Sequence, residues 1–201
     1  MNCLLILQLL SAGIDQQMYE GIHSGWHSRT MDVVMSTATE LGGLYASGGS
    51  TAALYLSGRP RLRQAAGLAA CSWLGATVVL TGIRVVVNRP RPLEPNPGGL
   101  NSSFPSNHTT SYFAAATVYA IKFPRLAPAL GMTGALVALS RVYLGEHWPS
   151  DVLAGAALGA GAGLLAVRLE KPISRLLRLE DSRLSLLQPS AGGLGIVAVS
   201  F

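Results

Sequence analysis

The sequence predicts an all-α protein, a polytopic bundle of five to six transmembrane helices. Charged residues make up 12 % of the 201-residue chain and apolar ones 49 %, against roughly 25 % charged in a typical soluble domain. Apolar stretches recur near the length of about 20 residues that a bilayer-crossing helix needs. The basic residues are sorted between connecting segments rather than scattered along the chain.

The elements follow in order. Residues 1–30, with the run IDQQMYEGIHSGWHSR, read as an interfacial segment, because Tyr19, Trp26, His23 and His27 stand among apolar residues as amphipathic rings do at headgroup level. His23 and His27 have a spacing that suits a metal, but a wet interface is the simpler account. Residues 1–14 are apolar but short for a crossing, which leaves the count at five or six; with no basic stretch before them they do not read as a cleaved signal. Spans are expected at 33–57, 65–87, 108–122, 126–143 and 151–169. The 108–122 stretch starts polar, yet Tyr112 to Phe123 is apolar enough to finish a crossing. In GAALGAGAGLL, Gly155, Gly159 and Gly163 share one face, the small-residue pattern of close helix packing in lipid. Residues 1–170 thus form one transmembrane domain, and 171–201 a cytoplasmic tail. Cys3 and Cys71 are far apart, the second inside an apolar run, so no structural disulfide is expected.

Charge orients the bundle. Arg59, Arg61, Arg63, Lys122, Arg125, Arg168, Lys171, Arg175, Arg178 and Arg183 fall on one side if the segments alternate, and the positive-inside tendency makes that side cytoplasmic. Nucleic acid is excluded as a partner, because no basic face interleaved with aromatics is present. Arg84, Arg89, Arg91 and Arg141 crowd the opposite, outer side, where an arginine cluster needs another reason.

Three segments meet there: RVVVNRPRP (84–92), FPSNH (104–108) and SRVYLGEHWPSD (140–151). Their residue types suit phosphoryl transfer. Guanidinium groups hold phosphate oxygens bidentately. A helix beginning near Ser106 or Asn107 aims free N–H groups at an anion. One histidine can attack phosphorus while another protonates the leaving oxygen, and an aspartate accepting Nδ1–H from the nucleophile would fix its tautomer. No carboxylate cluster offers the oxygen ligands that Mg²⁺ takes, so no cofactor or metal is expected.

These segments resemble the signature of the type-2 phosphatidic acid phosphatase superfamily. Its Lys-x6-Arg-Pro motif is matched by Arg84 and Arg91-Pro92, its Pro-Ser-Gly-His by Pro105-Ser106-Asn107-His108, and its Ser-Arg-x5-His-x3-Asp by Ser140, Arg141, His147 and Asp151. The resemblance implies that His147 is the nucleophile, that Asp151 orients it and that His108 is the general acid. It further implies that Arg84, Arg91, Ser106, Asn107 and Arg141 meet the phosphate. Arg84 stands where the family has lysine, and Asn107 where it has glycine. Asn tolerates a left-handed backbone, so a close N–H can survive there, and its amide is a further contact.

The implied activity is that of a metal-independent lipid phosphate phosphatase in the bacterial inner (plasma) membrane, its active site facing the periplasm or cell exterior at the outer membrane–water interface. Undecaprenyl diphosphate is the favoured substrate. Phosphatidylglycerol phosphate, phosphatidic acid and lipid A are the alternatives within that class. A non-catalytic lipid-phosphate binding or transport protein, and a vanadate haloperoxidase, are the rivals outside it.

Overall fold

The computed structural model describes residues 3–57, 59–94, 99–177 and 179. Among these residues eight α-helices follow one another: α1 (Cys3–His23), α2 (Arg29–Gly42), α3 (Leu44–Leu56), α4 (Pro60–Val87), α5 (Asn107–Lys122), α6 (Ala127–Tyr143), α7 (Pro149–Arg168) and α8 (Glu170–Leu176). Short 3-10 turns occur at Gly99–Asn101 and Pro124–Leu126, and no strand occurs among the described residues.

Among the described residues, three stretches are long and apolar enough to cross a membrane: Pro60–Val87, Pro124–Tyr143 and Pro149–Arg168. Each opens with proline in its first turn, where the missing N–H costs nothing and the fixed φ suits a helix. The 28 residues of α4 extend about 42 Å, beyond the roughly 30 Å of hydrocarbon.

The other two expected spans are helical but are not single full-length apolar helices. The 33–57 segment breaks at Gly43, which is extended (φ −69°, ψ 165°) between a 14-residue and a 13-residue helix. Two adjacent glycines lower the helical propensity here, and a Cβ at Gly42 would run into Val137 while just touching His108. The close approach of α2 to α5 and α6 therefore selects glycine where an unbroken helix would not. At 107–122, the polar first turn leaves a helix of only 16 residues.

α5 lies at the centre, packed on α4, α6 and α7. The expected small-residue face is the α5–α7 contact: a Cβ at Gly155 would lie 2.8 Å from the Ser106 carbonyl oxygen, one at Gly163 2.7 Å from Thr117 Cβ, and one at Gly159 would run into the Thr110 carbonyl. Backbones pack there without intervening side chains. Leu68, Ala69, Ala115, Val118 and Ala166 form the neighbouring buried cluster between α4, α5 and α7. Within it Ser72 Oγ donates to the Ala114 carbonyl and Trp73 Nε1 to Ser111 Oγ.

Alternating direction gathers the C-terminal ends of α4 and α6 and the N-terminal ends of α5 and α7 at one end. The basic residues from Arg59 to Arg63, with Lys122, Arg125, Arg168, Lys171 and Arg175, fall at the other; there Lys122 pairs with Glu170. Arg178, Arg183 and most of the expected tail lie outside the described residues. Cys71 is a free thiol. α1 packs against α6 and α7 at the first end, with Tyr19 buried against Val142 and Val152.

Candidate active site

Backbone turns set this end. α4 stops at Asn88, which is left-handed (φ 44°) and donates its N–H to the Arg84 carbonyl, a helix-ending geometry asparagine tolerates. The chain then runs through Arg89 and Arg91 and is stitched to the 102–103 segment. Arg89 N–H donates to Ser102 Oγ, Ser103 N–H to the Arg89 carbonyl, and Ser103 Oγ to the Pro90 carbonyl. Between α6 and α7, Gly145 adopts φ 73°, and a Cβ there would press on Leu93 and Tyr19. That turn lets the Glu146 and His147 N–H groups both donate to the Arg141 carbonyl. Ser106 N–H donates to the Asp151 carbonyl, closing the three segments on one another.

The structure brings His147, Asp151, Arg91, Arg141, Ser106 and His108 to this end of the bundle. His147 is only 1 % exposed. Its Nδ1 lies 2.7 Å from the Ser103 carbonyl oxygen and 3.8 Å from Asp151 Oδ2. A carbonyl only accepts, so Nδ1 carries the proton and Nε2 keeps its lone pair; Nε2 has no hydrogen-bond partner among the described residues. The expected direct Nδ1–H bond to Asp151 is thus replaced by one to Ser103, with the carboxylate just beyond bonding distance. Burial pushes the His147 imidazole below the ordinary histidine range; the Asp151 carboxylate opposes this, and the Arg141 and Arg91 charges reinforce it.

Arg141 is 7 % exposed. Its Nη1 donates to Thr39 Oγ1 at 2.6 Å, and its buried Nε has no partner among the described residues. Its Nη2 lies 3.5 Å from Glu146 Oε2, the same oxygen that pairs with Arg91 Nη1. One carboxylate thus occupies the arginine pair that the sequence pattern assigns to phosphate. Arg84 differs: its Nε and Nη2 donate to the Pro105 carbonyl and its Nη1 to that of Leu100, so in this state it braces the segment leading into α5.

At the start of α5, Ser106 is fully buried and its Oγ accepts from Thr109 Oγ1. No side chain caps the first N–H groups of the helix, which leaves them for an anion. Asn107 is the exposed first residue of α5. Its left-handed allowance goes unused: the non-glycine residue with positive φ among those described is Asn88. His108 is half-buried on the next position. Among the described residues no three His, Cys, Asp or Glu side chains gather as a metal site. His23 instead donates its Nδ1–H to the Tyr143 carbonyl (2.7 Å) and stacks on Tyr19.

Sequence reasoning missed Asp15 and Ser103 and left Arg89 undecided. Arg89 Nη1 donates to Asp151 Oδ1 and Nη2 to Asp15 Oδ2, each at 2.7 Å. The available signal was an arginine two residues before Arg91 and an acid in the helix before the first expected span; neither says what it will touch.

Residues 64–174 match the PAP2 superfamily. The chain belongs to the PAP2 superfamily. A lipid A 1-phosphatase of Rhizobium johnstonii is 35 % identical over 114 residues, covering 47 % of each protein. An undecaprenyl-diphosphatase of Sulfolobus acidocaldarius is 39 % identical over 87 residues, 42 % of this chain and 41 % of that protein. The chain therefore spans less than half the length of these curated relatives. Undecaprenyl-diphosphatase BcrC of Bacillus subtilis is 26 % identical over 77 % of this chain and 83 % of its own. Among solved structures, LpxE of Aquifex aeolicus superposes with a TM-score of 0.67 at 23 % identity, covering 77 % of this PAP2 chain and 95 % of that one. The transmembrane PAP2-type phosphatidylglycerolphosphate phosphatase of Bacillus subtilis gives 0.64 at 23 %, covering 86 % and 96 %. Both share the fold of this chain, and the second is by its title a transmembrane PAP2-type protein.

Proposed function

We propose that this PAP2 protein is a membrane-embedded lipid phosphate phosphatase working through a phosphohistidine at His147. The observation that carries the reading is the buried imidazole: Nδ1 is tied to the Ser103 carbonyl, Nε2 has no partner among the described residues, and Arg91 and Arg141 converge beside it on one carboxylate. A binding protein needs the arginines but not a tautomer-fixed nucleophile.

In the first displacement the phosphate group takes the place of Glu146 between Arg91 and Arg141, with Ser106, Asn107 and the α5 N–H groups on its other oxygens. Nε2 of His147 forms a bond to phosphorus as the bond to the leaving oxygen breaks, and protonated His108 gives that oxygen its proton. Asp151 offsets the positive charge that develops on the imidazole ring. In the second displacement His108, now neutral, takes a proton from water as the water oxygen attacks phosphorus. The P–N bond breaks, and inorganic phosphate and free His147 result. Arginines stabilise the spreading charge, the role a metal has elsewhere.

The site end faces the periplasm or cell exterior on this reading, because the opposite end carries the Arg59–Arg63 and Arg168–Arg175 basic residues. Undecaprenyl diphosphate is the favoured substrate: a relative matched over 77 % of this chain and 83 % of its own is an undecaprenyl-diphosphatase. Lipid A is the second reading, supported by the Rhizobium relative. Phosphate release from purified protein decides between them, with undecaprenyl diphosphate, lipid A, phosphatidylglycerol phosphate and phosphatidic acid compared with and without EDTA. The fastest turnover on undecaprenyl diphosphate, unchanged by EDTA, is expected. Turnover of lipid A alone would move the assignment to the second reading, and loss of all activity in EDTA would end the metal-free mechanism.

A further inference from the structure

We propose that Asp15 in α1 is a positioning residue for the reaction, acting through Arg89 on Asp151 and the start of α7. The inference rests on the phosphatase reading but on separate observations. Asp15 is 5 % exposed. Its Oδ1 accepts the Ser150 N–H at 2.9 Å, and its Oδ2 accepts from Ser150 Oγ and from Arg89 Nη2. Arg89 Nη1 reaches on to Asp151 Oδ1 and Ser150 Oγ, each at 2.7 Å. Asp151 Oδ2 accepts the Trp148 N–H at 2.8 Å, and the Arg89 guanidinium lies over the Trp148 ring, 5.5 Å from its centre. Trp148 follows directly on His147 as the cap of α7, and Asp151 lies in its first turn. A charged chain thus runs from α1 to within 3.8 Å of the His147 imidazole, and none of its members touches the Arg91–Glu146–Arg141 cluster.

The physics makes Asp15 the anchor. Ser150 N–H is one of the unpaired donors at the start of α7, so a carboxylate there gains both a hydrogen bond and the helix dipole. The same carboxylate neutralises a guanidinium whose other arm holds Asp151. Without Asp15, Arg89 has Asp151 as its sole anionic partner, and both the Asp151 carboxylate and the first turn of α7 are free to shift. Asp15 also lies outside residues 64–174, the stretch that matches the superfamily. The structure therefore assigns α1 a share in the active site that the family domain does not contain.

The consequence is specific. Phosphate contacts are made by other residues, so substrate binding is untouched, while alignment of His147 suffers; a displacement on the order of 1 Å costs about a hundredfold in rate. The test uses the full-length protein in detergent with the lipid phosphate that the wild type turns over. Asp15→Asn keeps the shape and loses the charge, Arg89→Lys keeps charge and loses the two-armed reach, and Gln16→Ala alters α1 at an exposed position whose side chain bonds Glu20. Expected are a kcat reduced about 10- to 100-fold in Asp15→Asn and in Arg89→Lys, with KM within twofold of wild type, and near-wild-type kcat in Gln16→Ala. The double variant should lose no more than the worse single one, since the two residues act as one unit. A kcat within twofold of wild type in Asp15→Asn overturns the proposal, as do losses in the two single variants that multiply. If Asp15→Asn does not fold, the kcat and KM of Arg89→Lys alone decide. An inactive wild type would instead sink the phosphatase reading itself.

Discussion

Glu146 is where the account makes its most exposed prediction. Its carboxylate sits on Arg91 and Arg141, whose side chains are 13 % and 9 % exposed, while its own is 44 % exposed. A phosphate entering the arginine pair must displace it, so part of the phosphate's binding energy is spent on that exchange. The half-exposed carboxylate is screened by water, which puts each of its two pairings nearer the 0.2–1 kcal/mol of surface bridges than the roughly 1.5–3 kcal/mol of buried charged hydrogen bonds. Together they come to about 1–2 kcal/mol, or a factor of roughly 5–30 in affinity. Glu146→Gln should therefore lower the inhibition constant of inorganic phosphate, the reaction product, by about that factor. Glu94→Gln is the control, since that carboxylate accepts from Asn101 and not from an arginine side chain; it should leave the constant within twofold. Phosphate binding that is unchanged or weaker in Glu146→Gln would refute the idea that the carboxylate holds the phosphate's place.

Other outcomes follow from the same geometry. His108→Ala should slow the first displacement more for lipid monophosphates than for diphosphates in single-turnover assays, because an alkoxide needs the proton more than a phosphate leaving group does; equal effects would remove His108 as the general acid. Because burial lowers the His147 pKa and the neutral ring is the proposed nucleophile, activity should be present above that pKa and lost as pH falls through it. The acid limb of kcat/KM should then lie below about 6.5, and a limb at or above that value would contradict the buried nucleophile. Gly159→Ala should lower the melting temperature in detergent by several degrees, as its Cβ would meet the Thr110 carbonyl, whereas Gly161→Ala, with open space at that point, should be neutral or stabilising; overpacking costs about 1–3 kcal/mol. Equal behaviour of the two would undo the glycine-face account of α5–α7.

How much of this was legible in the sequence follows from distance along the chain. The three motifs carry local instructions, and alternating helices bring them to one end, so the meeting of Arg91, His108, Arg141, His147 and Asp151 could be anticipated. The break at Gly43 was written in a Gly–Gly pair inside an apolar run, but hydropathy alone does not weigh backbone packing against Val137 and His108. Asp15 could not be placed, because its partners lie 74 and 135 residues away and only the docking of α1 on α7 reveals them. Ser103 escaped for a related reason: it acts through its carbonyl, which every residue possesses, so its identity carries no signal. Asn107 was weighed for a left-handed conformation, whereas the backbone needed that allowance at Asn88, where α4 ends.

The central claim is a covalent phosphate on His147. Rapid acid-free quenching of wild-type protein with a lipid phosphate labelled on its terminal phosphorus, followed by peptide mapping, measures it directly. Label is expected on the peptide that holds His147, absent in His147→Ala and longer-lived in His108→Ala. Turnover with no label on the protein, or label on another residue, would contradict it.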